Sequence, residues 1–296
     1  MLQASRLFHT APTVDYLFAV MPAITANGIE LYYERRGRGP RLLFFNGSGA
    51  TLETSAPLIW SFADRFDVVA HDQRGLGRTA IPPGPYRMAD YAADAAALLE
   101  HLGWATCRVI GVSFGGMVAQ EFAVTWPARL ERLALMCTSP GGVGGASYPL
   151  HELAERSPDE RAAIGMRILD TRFTAEWLLA HPADRMLVEM MAARNNAPKS
   201  DEQRRGESEQ LAARRRHDVC ERLAAIACPT LVACGRYDGI APLANGEWIA
   251  SHIRGAELRV YEGGHAFFIQ DSTALPEIAA FLADLGPRAA GPLTPR

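Results

Sequence analysis

Seven short apolar runs, separated by longer amphipathic stretches, constrain this chain more than any other feature. They are Ile29–Glu34 (IELYYE), Leu42–Phe45 (LLFF), Phe66–His71 (FDVVAH), Arg108–Val112 (RVIGV), Leu133–Cys137 (LALMC), Thr230–Cys234 (TLVAC) and Leu258–Tyr261 (LRVY). Short runs without strict polar alternation suit parallel strands covered on both faces. Helical patterns lie between them. Met88–Leu102 carries apolar residues at 88, 91, 95, 98, 99 and 102, with Gly103 as its stop. Gly115–Trp126 is ended by Pro127, and Ala274–Leu285 closes the chain before the tail Gly286–Arg296. Strand and helix in alternation predict an α/β architecture, a mostly parallel central sheet flanked by helices.

One stretch breaks this rhythm. Ser139 to Ala227 has no convincing strand, begins with the flexible Pro140–Gly145 and is punctuated by Pro158, Pro182 and Pro198. It predicts an all-helical cap inserted between two strands, lying over the C-terminal edge of the sheet. The expected division is an N-terminal extension (1–23), a core (24–138 and 228–286), the cap (139–227) and a flexible tail (287–296).

Composition excludes more than it selects. A chain of 296 residues with 48% hydrophobic and 21% charged residues is an ordinary globular protein, and a formal charge of −3 leaves no footprint for nucleic acid or anionic lipid. Arginines cluster at Arg204–Arg205 and Arg214–Arg216, but Glu202, Glu207, Glu209 and Asp218 are interleaved with them, which predicts a solvated helix face. The five cysteines form no C-x-x-C pair, and Cys107, Cys137 and Cys234 sit in or beside strand-like runs. Free thiols and a cytoplasmic location follow as expectations. Val14–Val20 imitates a short signal-peptide core but is interrupted by Asp15, so an extended start before Met21 is an equal reading of this end. No run approaches the ~20 apolar residues of a membrane-spanning helix.

The chemistry concentrates in three short segments. Gly111-Val112-Ser113-Phe114-Gly115 places a serine between a predicted strand and a predicted helix. In that G-x-S-x-G context the flanking glycines allow close backbone approach, and the hydroxyl projects at a helix N-terminus. Thr230–Pro242 is a strand followed by a turn carrying Asp238, and Leu258–Phe268 a strand followed by Gly263-Gly264-His265. Alone, Asp238 is a turn former and His265 a structural histidine. Together they occupy strand ends on the edge where Ser113 emerges, in the chain order Ser, Asp, His. Ser113 is the expected nucleophile, His265 the base and Asp238 the residue that orients it.

With these motifs the chain resembles the α/β-hydrolase superfamily over residues 24 to 285, and within it small capped serine hydrolases. These are the 3-oxoadipate enol-lactonase-like proteins, cofactor-free haloperoxidase-like proteins and related esterases. Asp72–Thr79 (DQRGLGRT) matches a turn of that family that is mostly structural. The resemblance implies an oxyanion hole after Leu42–Phe45, where many members carry His-Gly and this chain has Asn46-Gly47-Ser48-Gly49. The Ser48 and Phe114 backbone amides are then the expected donors. A dinucleotide-binding reading of Gly47-Ser48-Gly49 fails because position 52 is Leu.

A serine at the elbow argues against the carboxylate chemistry of related dehalogenases and epoxide hydrolases. The other histidines are scattered without metal-ligand spacing, so neither metal nor cofactor is expected. Trp177, Met186, Met190 and Met191 either line an apolar pocket under the cap or pack its helices together. The expected activity is hydrolysis of a small-molecule carboxylic ester or lactone. Carbon–carbon bond hydrolysis of a diketone-like acid, perhydrolase or thioesterase action, and ligand binding without turnover are the alternatives.

Overall fold

The computed structural model describes residues 23–195 and 197–284. The stretch Met1–Met21 and the tail after residue 286 lie outside these residues. The strands are β1 Ala23–Ala26, β2 Ile29–Arg36, β3 Arg41–Phe45, β4 Asp67–His71, β5 Cys107–Val112, β6 Leu130–Met136, β7 Thr230–Gly235 and β8 Glu257–Tyr261. They form one sheet in the order β1-β2-β4-β3-β5-β6-β7-β8. The pairs β1–β2 and β2–β4 are antiparallel and the rest parallel.

Successive residues of a strand point to opposite faces. Leu43, Phe45, Val109, Leu133, Leu135 and Val232 therefore join one buried cluster, and Leu42, Phe44, Ile110, Ala134, Met136 and Leu231 the other. Helix α1 (Leu52–Trp60) covers the second face through Leu52 and Ile59. Helices α2 (Met88–His101) and α3 (Phe114–Thr125) cover the first through residues such as Leu99, Met117 and Phe122. Between β6 and β7 stand α4 (Pro158–Leu169), α5 (Ala175–Ala180), α6 (Pro182–Asn195) and α7 (Asp201–Arg215). No strand occurs there among the described residues. Helix α8 (Leu243–His252) returns to the first face, α9 (Phe267–Gln270) is a short turn, and α10 (Ala274–Ala283) packs Ile278 and Leu282 on the second.

The Asp72–Thr79 turn is structural, as expected. The Asp72 carboxylate accepts from the Leu52 and Arg78 amides at 2.7 and 2.9 Å, tying α1 to the turn. Arg74 makes two bonds of 2.7 and 2.6 Å to Asp94, which is fully buried and also accepts from Asn27. Breaking a buried pair strands the other charge, so Asp94→Ala is expected to cost about 3–5 kcal/mol of stability. Urea unfolding of the variant checks this, and a loss below ~1 kcal/mol would show that Arg74 finds water instead.

Candidate active site

Ser113 sits where β5 turns into α3, with φ 55° and ψ −116°. Such a backbone is sparsely populated for a residue with a Cβ, and costs of order 1–3 kcal/mol unless its surroundings impose it. Here they do. The Ser113 amide donates to Met136 O at 2.8 Å, and its carbonyl accepts from Thr138 Oγ1 at 2.8 Å and from the Gly116 amide at 2.9 Å. The flanking glycines are steric requirements: a Cβ on Gly111 would lie 2.4 Å from Gly115 O, and one on Gly115 would lie 2.2 Å from Phe45 O.

The structure brings the three expected side chains together. His265 Nε2 lies 2.9 Å from Ser113 Oγ, and its Nδ1 lies 2.8 Å from Asp238 Oδ2. The other Asp238 oxygen accepts from the Ile240 and Ala241 amides, each at 2.8 Å. With a carboxylate at Nδ1, the assigned tautomer carries its proton there and leaves the Nε2 lone pair facing the serine hydroxyl. Asp238 is fully enclosed at its carboxylate, and the His265 ring is 14% exposed.

The last turn of α4 and the residues just after it brace both loops. The His265 amide donates to Leu169 O at 2.6 Å, the Gly239 amide to Ile168 O at 3.0 Å and the Thr171 amide to Tyr237 O at 2.9 Å. Gln270 accepts from the Gly264 amide and donates to Asp170 and Asp184. Asp170 is held in turn by Arg172, whose guanidinium lies 4.0 Å over the Tyr237 ring. The approach leaves no room for side chains, since a Cβ on Gly264 would lie 2.1 Å from Leu169 O.

The Asn46–Gly49 loop runs beside the elbow, where a Cβ on Gly47 would lie 3.7 Å from that of Ser113. Neither the Ser48 nor the Phe114 amide meets an acceptor among the described residues. Three side chains that sequence reasoning missed hold this loop. Gln73 donates to Asn46 O at 2.7 Å, Arg194 of α6 donates to Ser48 O at 2.8 Å, and Gln210 of α7 accepts from the Gly49 amide at 2.7 Å.

Two expectations need adjustment. The arginine-rich face of α7 is not uniformly solvated: Arg204, Arg205, Arg215 and Arg216 are exposed, but Arg214 is only 5% exposed because that turn of α7 faces the core. The four residues read as either lining a pocket or packing the cap helices together also divide. Met186 and Met190 are 66% and 53% exposed, whereas Trp177 and Met191 pack against Leu169, Phe173, Leu187 and Ala266, which adjoins His265. Trp177 is further fixed by a 2.8 Å bond to Asp184 and by stacking on His181. All five cysteines are free and buried. No described helix is long and apolar enough to cross a membrane.

Comparison with known proteins agrees with this architecture. The chain is 32% identical to a poly(3-hydroxyalkanoate) depolymerase of Ectopseudomonas oleovorans over 81% of its own length and 83% of the relative's. It is 27% identical to 3-oxoadipate enol-lactonase 2 of Acinetobacter baylyi over 87% and 94% of the two chains. The crystal structure of a hydrolase from Pseudomonas aeruginosa PA01 superposes with a TM-score of 0.74 at 29% identity, covering 91% of this chain and all of that one. The α/β hydrolase fold family matches residues 40–272, and this chain belongs to that family of enzymes.

Proposed function

We propose that this enzyme is a serine hydrolase that cleaves a small carboxylic ester or lactone through an acyl-enzyme on Ser113. The observation that carries the proposal is the unbroken relay from Ser113 Oγ through His265 to a buried Asp238, mounted on a strained elbow. Nothing in a turn of ordinary structural purpose calls for all three. The two curated relatives, by name a depolymerase and a lactonase, point the same way.

The chemistry follows from the geometry. His265 Nε2 takes the Ser113 proton as Oγ attacks the acyl carbon, and Asp238 stabilises the imidazolium that forms. The unengaged Ser48 and Phe114 amides receive the oxyanion, each worth roughly 3–4 kcal/mol when well placed. His265 then protonates the leaving oxygen and later activates the water that releases the acid. The helices between β6 and β7 act as a cap that shields this site and fixes the shape of what enters. The five free, buried thiols fit a reducing, cytoplasmic setting.

The test combines p-nitrophenyl esters of graded acyl length with a fluorophosphonate probe. Saturable turnover together with a single label mapped to Ser113 by mass spectrometry is the expected result. A folded protein that neither turns over any ester or lactone nor takes the label would overturn the proposal. Turnover confined to carbon–carbon bond substrates would replace the bond type and keep the nucleophile.

A further inference from the structure

The loop that carries the Ser48 amide is held one peptide at a time. In the Asn46–Gly47 peptide, the Asn46 carbonyl accepts from Gln73 at 2.7 Å. In the Gly47–Ser48 peptide, the Gly47 carbonyl accepts from the Ala50 amide at 3.2 Å. That bond closes a four-residue turn and leaves the Ser48 N–H without an acceptor among the described residues. The Ser48–Gly49 peptide, in the middle of the turn, is gripped on both edges. Its carbonyl accepts from Arg194 of α6 at 2.8 Å, and its N–H donates to Gln210 Oε1 of α7 at 2.7 Å.

The middle peptide of a turn rotates with the least movement of its flanks, and turn types differ chiefly in its orientation. Gly49, with φ 62°, does not fix it, because glycine populates both signs of φ. The two side chains are themselves well seated. Gln210 is only 1% exposed, and a Cβ on Gly206, one turn earlier, would lie 2.0 Å from Gly75 O, so α7 rests directly on backbone. Arg205 donates to the Ile81 and Pro82 carbonyls, and Glu209 accepts from the Tyr86 amide. Gly75 is two residues from Gln73, so the seat of α7 and the anchor of the Asn46–Gly47 peptide are one piece of chain. Arg194 is half-buried beside Glu207, which Lys199 holds at 2.8 Å. Arg194 Nη2 and Glu207 Oε1 both come within 4 Å of where a Cβ on Gly49 would stand.

We propose that Arg194 and Gln210 are positioning residues for the oxyanion hole: together they fix the Ser48–Gly49 peptide, and through the turn they hold the Ser48 N–H where the oxyanion forms. This rests on the serine hydrolase reading and gives the helices between β6 and β7 a part in the chemical step as well as in access. The Asp238 and His265 loops are braced from the end of α4, so the two halves of the site depend on different helices. A catalytic group must sit within about 0.5 Å and 10–20° of its productive position. Misplacement by about 1 Å costs on the order of 100-fold in rate. Neither residue needs to touch the substrate to have that effect.

In the full-length enzyme, Arg194→Met and Gln210→Met are each expected to lower kcat for a good p-nitrophenyl ester by about 10- to 100-fold, part of what a whole oxyanion donor contributes. KM should stay within about threefold, because the lost interaction acts only in the transition state. The double variant should fall little below the poorer single, since both substitutions release the same peptide. Arg194→Lys keeps a donor and should recover part of the loss. Affinity for a trifluoromethyl ketone should drop by the same factor as kcat/KM. In that adduct Ser113 Oγ adds to the carbonyl carbon, the Oγ proton passes to His265, and the carbonyl oxygen becomes an oxyanion in the hole. Should Gln210→Met not fold, Arg194→Met compared with Arg194→Lys decides alone. Losses confined to KM, or folded variants whose kcat stays within about threefold of the wild type, would overturn the positioning role and leave the hydrolase reading intact. Losses that multiply in the double variant would overturn the shared clamp. A folded wild type that turns over no ester and takes no fluorophosphonate label fails the hydrolase reading, and the positioning role falls with it.

Discussion

Ser113→Ala is expected to lower kcat for a good ester by on the order of 10⁴- to 10⁶-fold while the protein stays folded. The substitution is unusually clean at this position. Alanine keeps the Cβ, so the strain of a φ of 55° is unchanged, and the backbone bonds to Met136 and Thr138 do not involve the side chain. Only Oγ is lost, and with it a single bond to His265 Nε2. Stability should therefore move by no more than about 1 kcal/mol, the net worth of one hydrogen bond. Parallel urea unfolding and steady-state hydrolysis separate the two effects. Residual rate above water is still expected, because the Ser48 and Phe114 amides and the cap remain. Near-normal turnover in the variant would remove Ser113 from the mechanism altogether.

The expected triad was legible because each member sits in a short local pattern at a strand end, and strands β3 to β7 were legible because burial on both faces leaves them apolar. Other elements lacked so plain a signal. Strand β1 is only four residues, although Asn27-Gly28, with φ of 49° and 78°, is the pair that tight hairpins prefer. Helix α1 contains Pro57 and buries only Leu52 and Ile59. Helix α8 carries Asn245-Gly246, a turn pair by local chemistry. Tertiary contacts override it: Asn245 donates to Ser139 Oγ and Ala146 O, and a Cβ on Gly246 would lie 2.1 Å from Cys234 Sγ. The polar residues around the site were hidden for a different reason. Arg194, Gln210 and Arg214 lie on helices rich in charge, and their partners are loops far away in sequence. No periodicity separates an inward arginine from its outward neighbours when apolar residues do not mark the face.

Asp238→Asn should lower kcat by about 10⁴-fold, as the corresponding change does in other Ser–His–Asp systems, with KM little altered. The argument is one of donors and acceptors. Asp238 Oδ1 accepts from the Ile240 and Ala241 amides, and Oδ2 accepts from His265 Nδ1. Asparagine has one oxygen, and the two backbone amides will take it, because burying them unpaired would cost about 1–3 kcal/mol each. The NH₂ group is then forced towards His265, where it can only donate. Nδ1 must become the acceptor, the ring proton moves to Nε2, and the atom facing Ser113 Oγ no longer has a lone pair with which to take a proton. Geometry survives and basicity is lost. Asp238→Ala is the poorer experiment, since it also strands the two amides and confuses stability with catalysis. The ¹⁵N shifts of the His265 ring should show the proton on Nε2 in the asparagine variant and on Nδ1 in the wild type. A rate loss below about tenfold with that tautomer switched would mean that His265 does not act as the base, because a base cannot serve through a nitrogen already protonated.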